Sequence, residues 1–129
     1  MMQAADIRTC WEKIRPGLEE LKAEMKADWR PEDIYSLVRM KKATLYMDPA
    51  LSSGFVILSR MENEFTGEPY LLVLAAWAPG EEVRDVYFPQ IEAVAHTVGA
   101  KYIECCSPRR GFERTGWTVE HVCYRRSLT

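Results

Sequence analysis

The chain has 129 residues, with 17 Lys+Arg against 19 Asp+Glu for a formal net charge of −2, and is 47% hydrophobic and 28% charged. This is the length and composition of one globular domain, residues 1–129, that can bury a core without a disulfide or metal staple. The near-neutral balance excludes a general nucleic-acid binder and a polybasic membrane-surface protein, both of which carry a basic excess.

The N-terminal residues Met1-Met2-Gln3-Ala4-Ala5-Asp6 lack the apolar core of ~7–15 residues that marks a secretory leader. No run reaches the ~18 apolar residues of a membrane span. Of the four cysteines, Cys10, Cys105, Cys106 and Cys123, the adjacent pair would point to opposite faces of a strand and makes a poor disulfide framework. Reduced cysteines in a cytoplasmic protein are the simpler reading.

Ile7, Trp11, Ile14, Leu18, Leu21 and Met25 recur at spacings of three and four and so predict one face of a first helix. Its start is either Asp6 or Thr9, the latter with Glu12 three residues on as in a capping box. Pro16-Gly17 either kinks this helix or opens a second segment. A second helix begins near Pro31, with Asp33 in the first turn where the helix dipole favours a carboxylate, and with Ile34, Leu37 and Val38 on its apolar side.

Short strands follow: Thr44–Met47, a run around Phe55-Val56-Ile57-Leu58, and Tyr70–Trp77, the last two joined by a hairpin loop with Gly67 and Pro69. Their continuous apolar runs predict cover by helices on both sheet faces. After Ala78-Pro79-Gly80 comes a helix over residues 81–98, in which Pro89 implies a kink or a late start near Asp85, capped by Gly99. A strand over Lys101–Cys105, a short turn or helix near Gly111, and a last strand over Trp117–Tyr124 complete the chain.

Local landmarks give this order a likeness. Val98-Gly99-Ala100-Lys101-Tyr102-Ile103-Glu104 and the Glu-basic-x-Gly-aromatic run Glu113-Arg114-Thr115-Gly116-Trp117 resemble the GNAT (N-acetyltransferase) superfamily from its long helix onward. Trp11…Ile14-x-Pro16, Pro31-Glu32-Asp33-Ile34, Pro89-x-Ile91-Glu92-Ala93 and Arg109-Arg110-Gly111-Phe112-Glu113-Arg114 are similar to small GNAT-like proteins encoded by tailed bacteriophages and prophages. The resemblance implies an α/β (α+β) fold: a mixed, mostly antiparallel sheet flanked by helices on both faces, here possibly without its first strand. It implies acetyl-CoA as acyl donor, a small amine as acceptor, no metal, and a homodimer as a plausible assembly. Trp77, Ala78, Pro79, Gly80 and Arg84 are then the cofactor-binding candidates.

Two departures bear on that activity. GNAT enzymes cradle a pyrophosphate on the N–H groups of a glycine-rich turn at a helix N-terminus. The corresponding Ala78-Pro79-Gly80-Glu81-Glu82-Val83-Arg84 has one glycine, a proline without an N–H and two adjacent carboxylates. The position of the tyrosine that protonates the departing thiolate in many of these enzymes holds Phe112. Two readings follow: an acyl-CoA N-acyltransferase, or a non-enzymatic phage component that binds a protein partner, acting in the host cytoplasm or on the virion.

The residues offer few catalytic groups. Glu104, at a strand end and on one face with Tyr102, is a candidate general base. Tyr124 is a second candidate, as a proton donor. His121 and Cys123 share a strand face that Cys105 might approach from a neighbouring strand; without a CxxC pair or a fourth ligand they predict buried cysteines rather than zinc. His96, on the long helix, is either a base or a surface or boundary residue, the latter favoured. Arg109, Arg110, Arg114, Arg125 and Arg126 make the C-terminal part basic, either an anion site or a solvated face. Trp11 and Trp77 fit core positions, and Trp29 either marks an exposed partner surface or, the reading favoured, packs over the helix junction.

Overall fold

The apolar spacing of the first helix is realised without a break. In the computed structural model, which describes residues 2–48, 54–79, 87–107 and 116–128, α1 runs from Ile7 to Met25. Asp6 caps it, its carboxylate accepting the Arg8 N–H at 2.9 Å. Pro16 lies inside the helix, so the Pro-Gly pair neither ends it nor opens a new one. The burial of Ile14, Gly17, Leu18 and Leu21 on either side offsets the loss of one backbone hydrogen bond at the proline. Gly17 has its own reason: a Cβ there would sit 2.6 Å from the Trp77 ring and 2.8 Å from Phe55. Only a bare backbone lets the helix lie this close to the sheet.

The second helix, α2, spans Pro31–Arg39. Proline at its first position loses no hydrogen bond there. The Asp33 carboxylate accepts the Arg30 N–H at 2.8 Å and meets the Arg30 guanidinium at 3.0 Å. Trp29 is half-buried against the core beneath α1 and α2, and Trp11 meets Tyr35 edge to face at 5.0 Å.

The described residues form a five-stranded sheet in sequential order: β1 Gln3–Ala4, β2 Thr44–Met47, β3 Phe55–Glu62, β4 Pro69–Trp77 and β5 Tyr102–Cys105. The first four are antiparallel neighbours, and β5 runs parallel to β4. A parallel pair needs a crossover, and it carries α3, Phe88–Thr97. The first strand, whose loss the sequence suggested, is kept in reduced form: Gln3 and Ala4 pair with Met47 and Tyr46. Two residues carry no periodicity to read.

Each sheet face has its own core. On one side Ile7, Ile14, Leu18, Leu21 and Ile34 of α1 and α2 pack on Leu45, Phe55, Ile57 and Ala75. On the other, Phe88, Ile91 and Ala95 of α3 pack on Val56, Leu58, Leu71 and Val73. β3 is buried on both faces from Phe55 to Ser59, which explains its unbroken apolar run.

The predicted last strand is absent among the described residues. From 116 to 128 the chain forms no helix or strand, and Val119 and Val122 are exposed. A strand is stable only when paired, and Trp117–Tyr124 has found no edge. Within this segment Trp117 lies 5.2 Å from the Phe88 ring, and Arg125 pairs with Asp28 at 2.8 Å.

Candidate functional site

The site follows from a mismatch of lengths. The β4–β5 ladder runs from Tyr70↔Tyr102 to Val73↔Cys105 and stops. β4 continues to Trp77, still paired to β3 through Phe55↔Trp77. Beyond Val73 the β5-facing edge of β4 therefore has no strand partner among the described residues.

A bulge sits at the same place. Leu58 pairs with Val73 and Ile57 with Ala75, so Leu74 is an extra residue in β4. An inserted residue reverses the facing of everything after it. Leu71 and Val73 face α3, whereas Ala75 and Trp77 face α1 and α2. Trp77 thus packs on Phe55 at 5.8 Å and under Gly17, a core role for a residue also considered as a cofactor contact. Gly54, at φ +114°, lets the Trp77 carbonyl and the Tyr87 hydroxyl approach to 3.0 Å of where a Cβ would stand.

Of the other cofactor-loop candidates, Ala78 is half-buried against the α3 core and Pro79 is exposed. Gly80 and Arg84 lie outside the described residues, as do Arg109, Arg110, Phe112, Glu113 and Arg114. Ala78 and Pro79 stand at the end of β4, beyond the last β4–β5 rung. A proline at that place supplies no N–H to an anion.

Glu104 is half-buried on β5 opposite Leu72, one rung before the ladder ends. Alternation places it with Tyr102, Tyr70 and Leu72 on the sheet face opposite Ile103 and Cys105. Burial first, then the charge of Glu104, followed by those of Tyr102 and Glu64, holds the Tyr70 phenol above its ordinary range. Tyr124 is 91% exposed on the segment outside the sheet.

Cys105 occupies the last rung, on the α3 side. Burial, with a smaller push from Cys106, raises its thiol to about 11, so at neutral pH it is a protonated thiol and a weak nucleophile. Cys123 and His121 are exposed on the C-terminal segment rather than buried, because the strand that would have buried them does not form. Among the described residues no three His, Cys, Asp or Glu side chains could hold a metal, and no helix is long and apolar enough to cross a membrane. His96 is exposed on α3, as expected.

The features missed in the sequence are the Leu74 bulge, the Tyr70–Tyr102 pair and the position of Cys105. Bulge and pairing depend on register, which no local pattern records. The signal for the tyrosines was available in part, since Tyr102 lies two residues from Glu104.

No protein-family model matches the chain, and no curated protein matches it by sequence. Solved structures do match in fold. The ribosomal-protein-alanine N-acetyltransferase from Brucella melitensis biovar Abortus superposes with a TM-score of 0.69 at 14% identity, covering 99% of each chain. An acetyltransferase from Trypanosoma brucei gives 0.64 at 11% identity, with 99% of each chain covered. A GNAT family acetyltransferase from Staphylococcus aureus gives 0.62 at 12% identity, covering 99% of this chain and 98% of the other. The chain therefore has the GNAT acetyltransferase fold, the α+β architecture anticipated from the sequence.

Proposed function

We propose that this protein is an acyl-CoA-dependent N-acyltransferase, encoded by a phage or prophage and acting in the cytoplasm of the bacterial host on a small amine. One observation carries the reading: the β4–β5 ladder ends at Val73 and Cys105, beside the Leu74 bulge, while β4 runs on to Trp77. The edge of β4 beyond Val73, without a strand partner among the described residues, is the proposed place of the acyl thioester.

Acyl-CoA supplies an activated acyl group, so no protein nucleophile is needed, in keeping with a protonated Cys105. The amine nitrogen forms a bond to the thioester carbonyl carbon, the C–S bond breaks, and the thiolate departs and takes a proton from solvent. Backbone N–H groups on the β4 edge past Val73 are the donors for the developing oxyanion. Glu104 is the base that takes the ammonium proton; of the donor-side candidates Pro79 is exposed at the end of β4, with Gly80 and Arg84 following it in sequence.

Acetyl-CoA at about 100 times its dissociation constant adds ~2.7 kcal/mol to stability, a rise of several degrees in melting temperature for a chain of this size. No rise at millimolar acetyl-CoA would overturn the reading. Pro79 beside Glu81-Glu82 favours a second reading, a non-enzymatic phage assembly or binding component. It requires an unchanged melting temperature together with retrieval of a defined virion or host protein from infected cells.

A further inference from the structure

The helices do not cover the whole of the sheet face they pack on. α1 and α2 bury Leu45, Phe55, Ile57 and Ala75, but on the same face Tyr70, Leu72, Tyr102 and Glu104 stay half-exposed. The two tyrosines pair across the parallel ladder, their rings stacked at 5.0 Å and 5° from parallel. Asn63 fixes one of them: its Nδ2 donates to the Tyr102 hydroxyl at 3.1 Å. The Asn63 Oδ1 accepts the N–H groups of Phe65 and Thr66 at 2.9 and 3.1 Å, so the hairpin turn and the ring are tied together.

The hairpin turn beside them is acidic: residues 62–69 hold Glu62, Glu64 and Glu68 and no Lys or Arg. The charges of Glu104 and Glu64 both reach Tyr70, and neither carboxylate has an ion-pair partner among the described residues. Arg60 lies 3.9 Å from Glu62 and donates its Nε to the Val98 carbonyl at 3.1 Å, at the end of α3. Alternation continued from β5 puts Lys101 on the face of Ile103 and Cys105.

We propose that the Tyr70–Tyr102 face, flanked by Glu64 and Glu104, is a subsite for an alkylammonium group: the distal cation of a diamine acceptor. Aromatic faces attract cations through the ring quadrupole, and two carboxylates lacking a counter-ion add to that field. The subsite lies three rungs before the end of the ladder, roughly 10 Å at strand rise. Leu72 between them offers an apolar lane for the spacer. A diamine anchored here presents its second nitrogen at the β4 edge beyond Val73. That acceptor role rests on the acyl-transfer reading; the cation site itself does not.

Binding is therefore measured on the whole chain without acyl-CoA. The probes are an α,ω-diamine of eight carbons, octylamine and octanoate, followed by NMR of the Tyr70 and Tyr102 ring signals. The diamine is expected to shift both rings saturably, and octanoate to leave them unmoved. Glu64→Gln weakens diamine binding several-fold, and Glu64→Gln with Glu104→Gln by more than roughly tenfold. Tyr102→Phe retains most binding, whereas Tyr102→Leu loses it, each variant being confirmed folded by its melting curve. Absence of saturable shifts, equal binding of octanoate, or parental affinity in the double Gln variant would overturn the proposal. Diamine binding in a protein that acetyl-CoA fails to stabilise keeps this site and removes the acyl-transfer reading. Stabilisation by acetyl-CoA with no diamine binding does the reverse.

Discussion

β4 behaves as two different strands joined at Leu74. From Pro69 to Val73 it is bonded on both edges, to β3 and to β5, and leaves Tyr70 and Leu72 half-exposed on the α1/α2 side of the sheet. From Leu74 to Trp77 it is bonded to β3 alone and turns Ala75 and Trp77 into the core beneath α1. The first half is fixed by the sheet and offers a surface. The second is fixed by helix packing and offers an edge. One extra residue separates the two arrangements, so a local defect in register, rather than a loop, marks where β4 changes from a surface to an edge.

Trp77→Ala tests that comparison most severely. It strips Phe55 and Gly17 of their partner. The expected loss for truncating an aromatic packed in this way is about 3–5 kcal/mol, seen as a collapse of the urea midpoint. A midpoint near that of the parent would mean that helix packing does not fix the second half.

Gly17→Ala probes the packing of the second half alone. The new Cβ meets the Trp77 ring at 2.6 Å, and overpacking of this kind costs about 1–3 kcal/mol. The same substitution with Trp77→Leu should recover part of the loss, because the clash goes with the ring. If the two losses simply add, the contact does not hold the helix to the strand end.

Cys105 marks the boundary between the halves, and its ionisation supplies a third test. The folded thiol sits at about 11 against an ordinary value of 9.0. The folded state therefore keeps a proton that the unfolded state sheds. Stability from this group is complete below pH 9 and falls as pH rises from about 9 to 11, where the folded thiol also ionises. Cys105→Ala should flatten the pH dependence of the urea midpoint across that window. At pH 7 an alkylating reagent should modify exposed Cys106 well before Cys105; the opposite order would contradict the burial.

The smallest effect is expected far from β4. Arg125 and Asp28 pair at 2.8 Å with both side chains 77% exposed. Exposed pairs contribute little to stability, so Arg125→Ala should leave the melting temperature unchanged while freeing the C-terminal segment to proteolysis.

What the sequence disclosed and what it withheld divide along one physical line. The α1 face from Ile7 to Met25, the cap region at Pro31 and Asp33, and the strand Thr44–Met47 are set by neighbours within a few residues, and the structure places them as the spacing predicts. Of the two readings of Pro16-Gly17, a new segment fails because α1 runs through it, and Gly17 answers to a contact with Trp77, far away in sequence. Trp117–Tyr124 misled: it alternates as a strand does, but alternation does not provide a paired edge. The candidate site was legible in its residue types, with Glu104, Trp77, Ala78 and Pro79 all near the β4–β5 region. It was not legible in its geometry, because the Leu74 register shift and the Val73↔Cys105 endpoint involve strands distant in sequence.

The contact between Gly17 and Trp77 has an optical consequence. An indole ring that lies against a helix backbone and also closes the hydrogen-bonded end of β4 changes its emission when that strand end moves. Trp77 is therefore a built-in fluorescent gauge of that strand end. With Trp11, Trp29 and Trp117 replaced by Phe, its spectrum would register a rearrangement at the end of β4 without an added label.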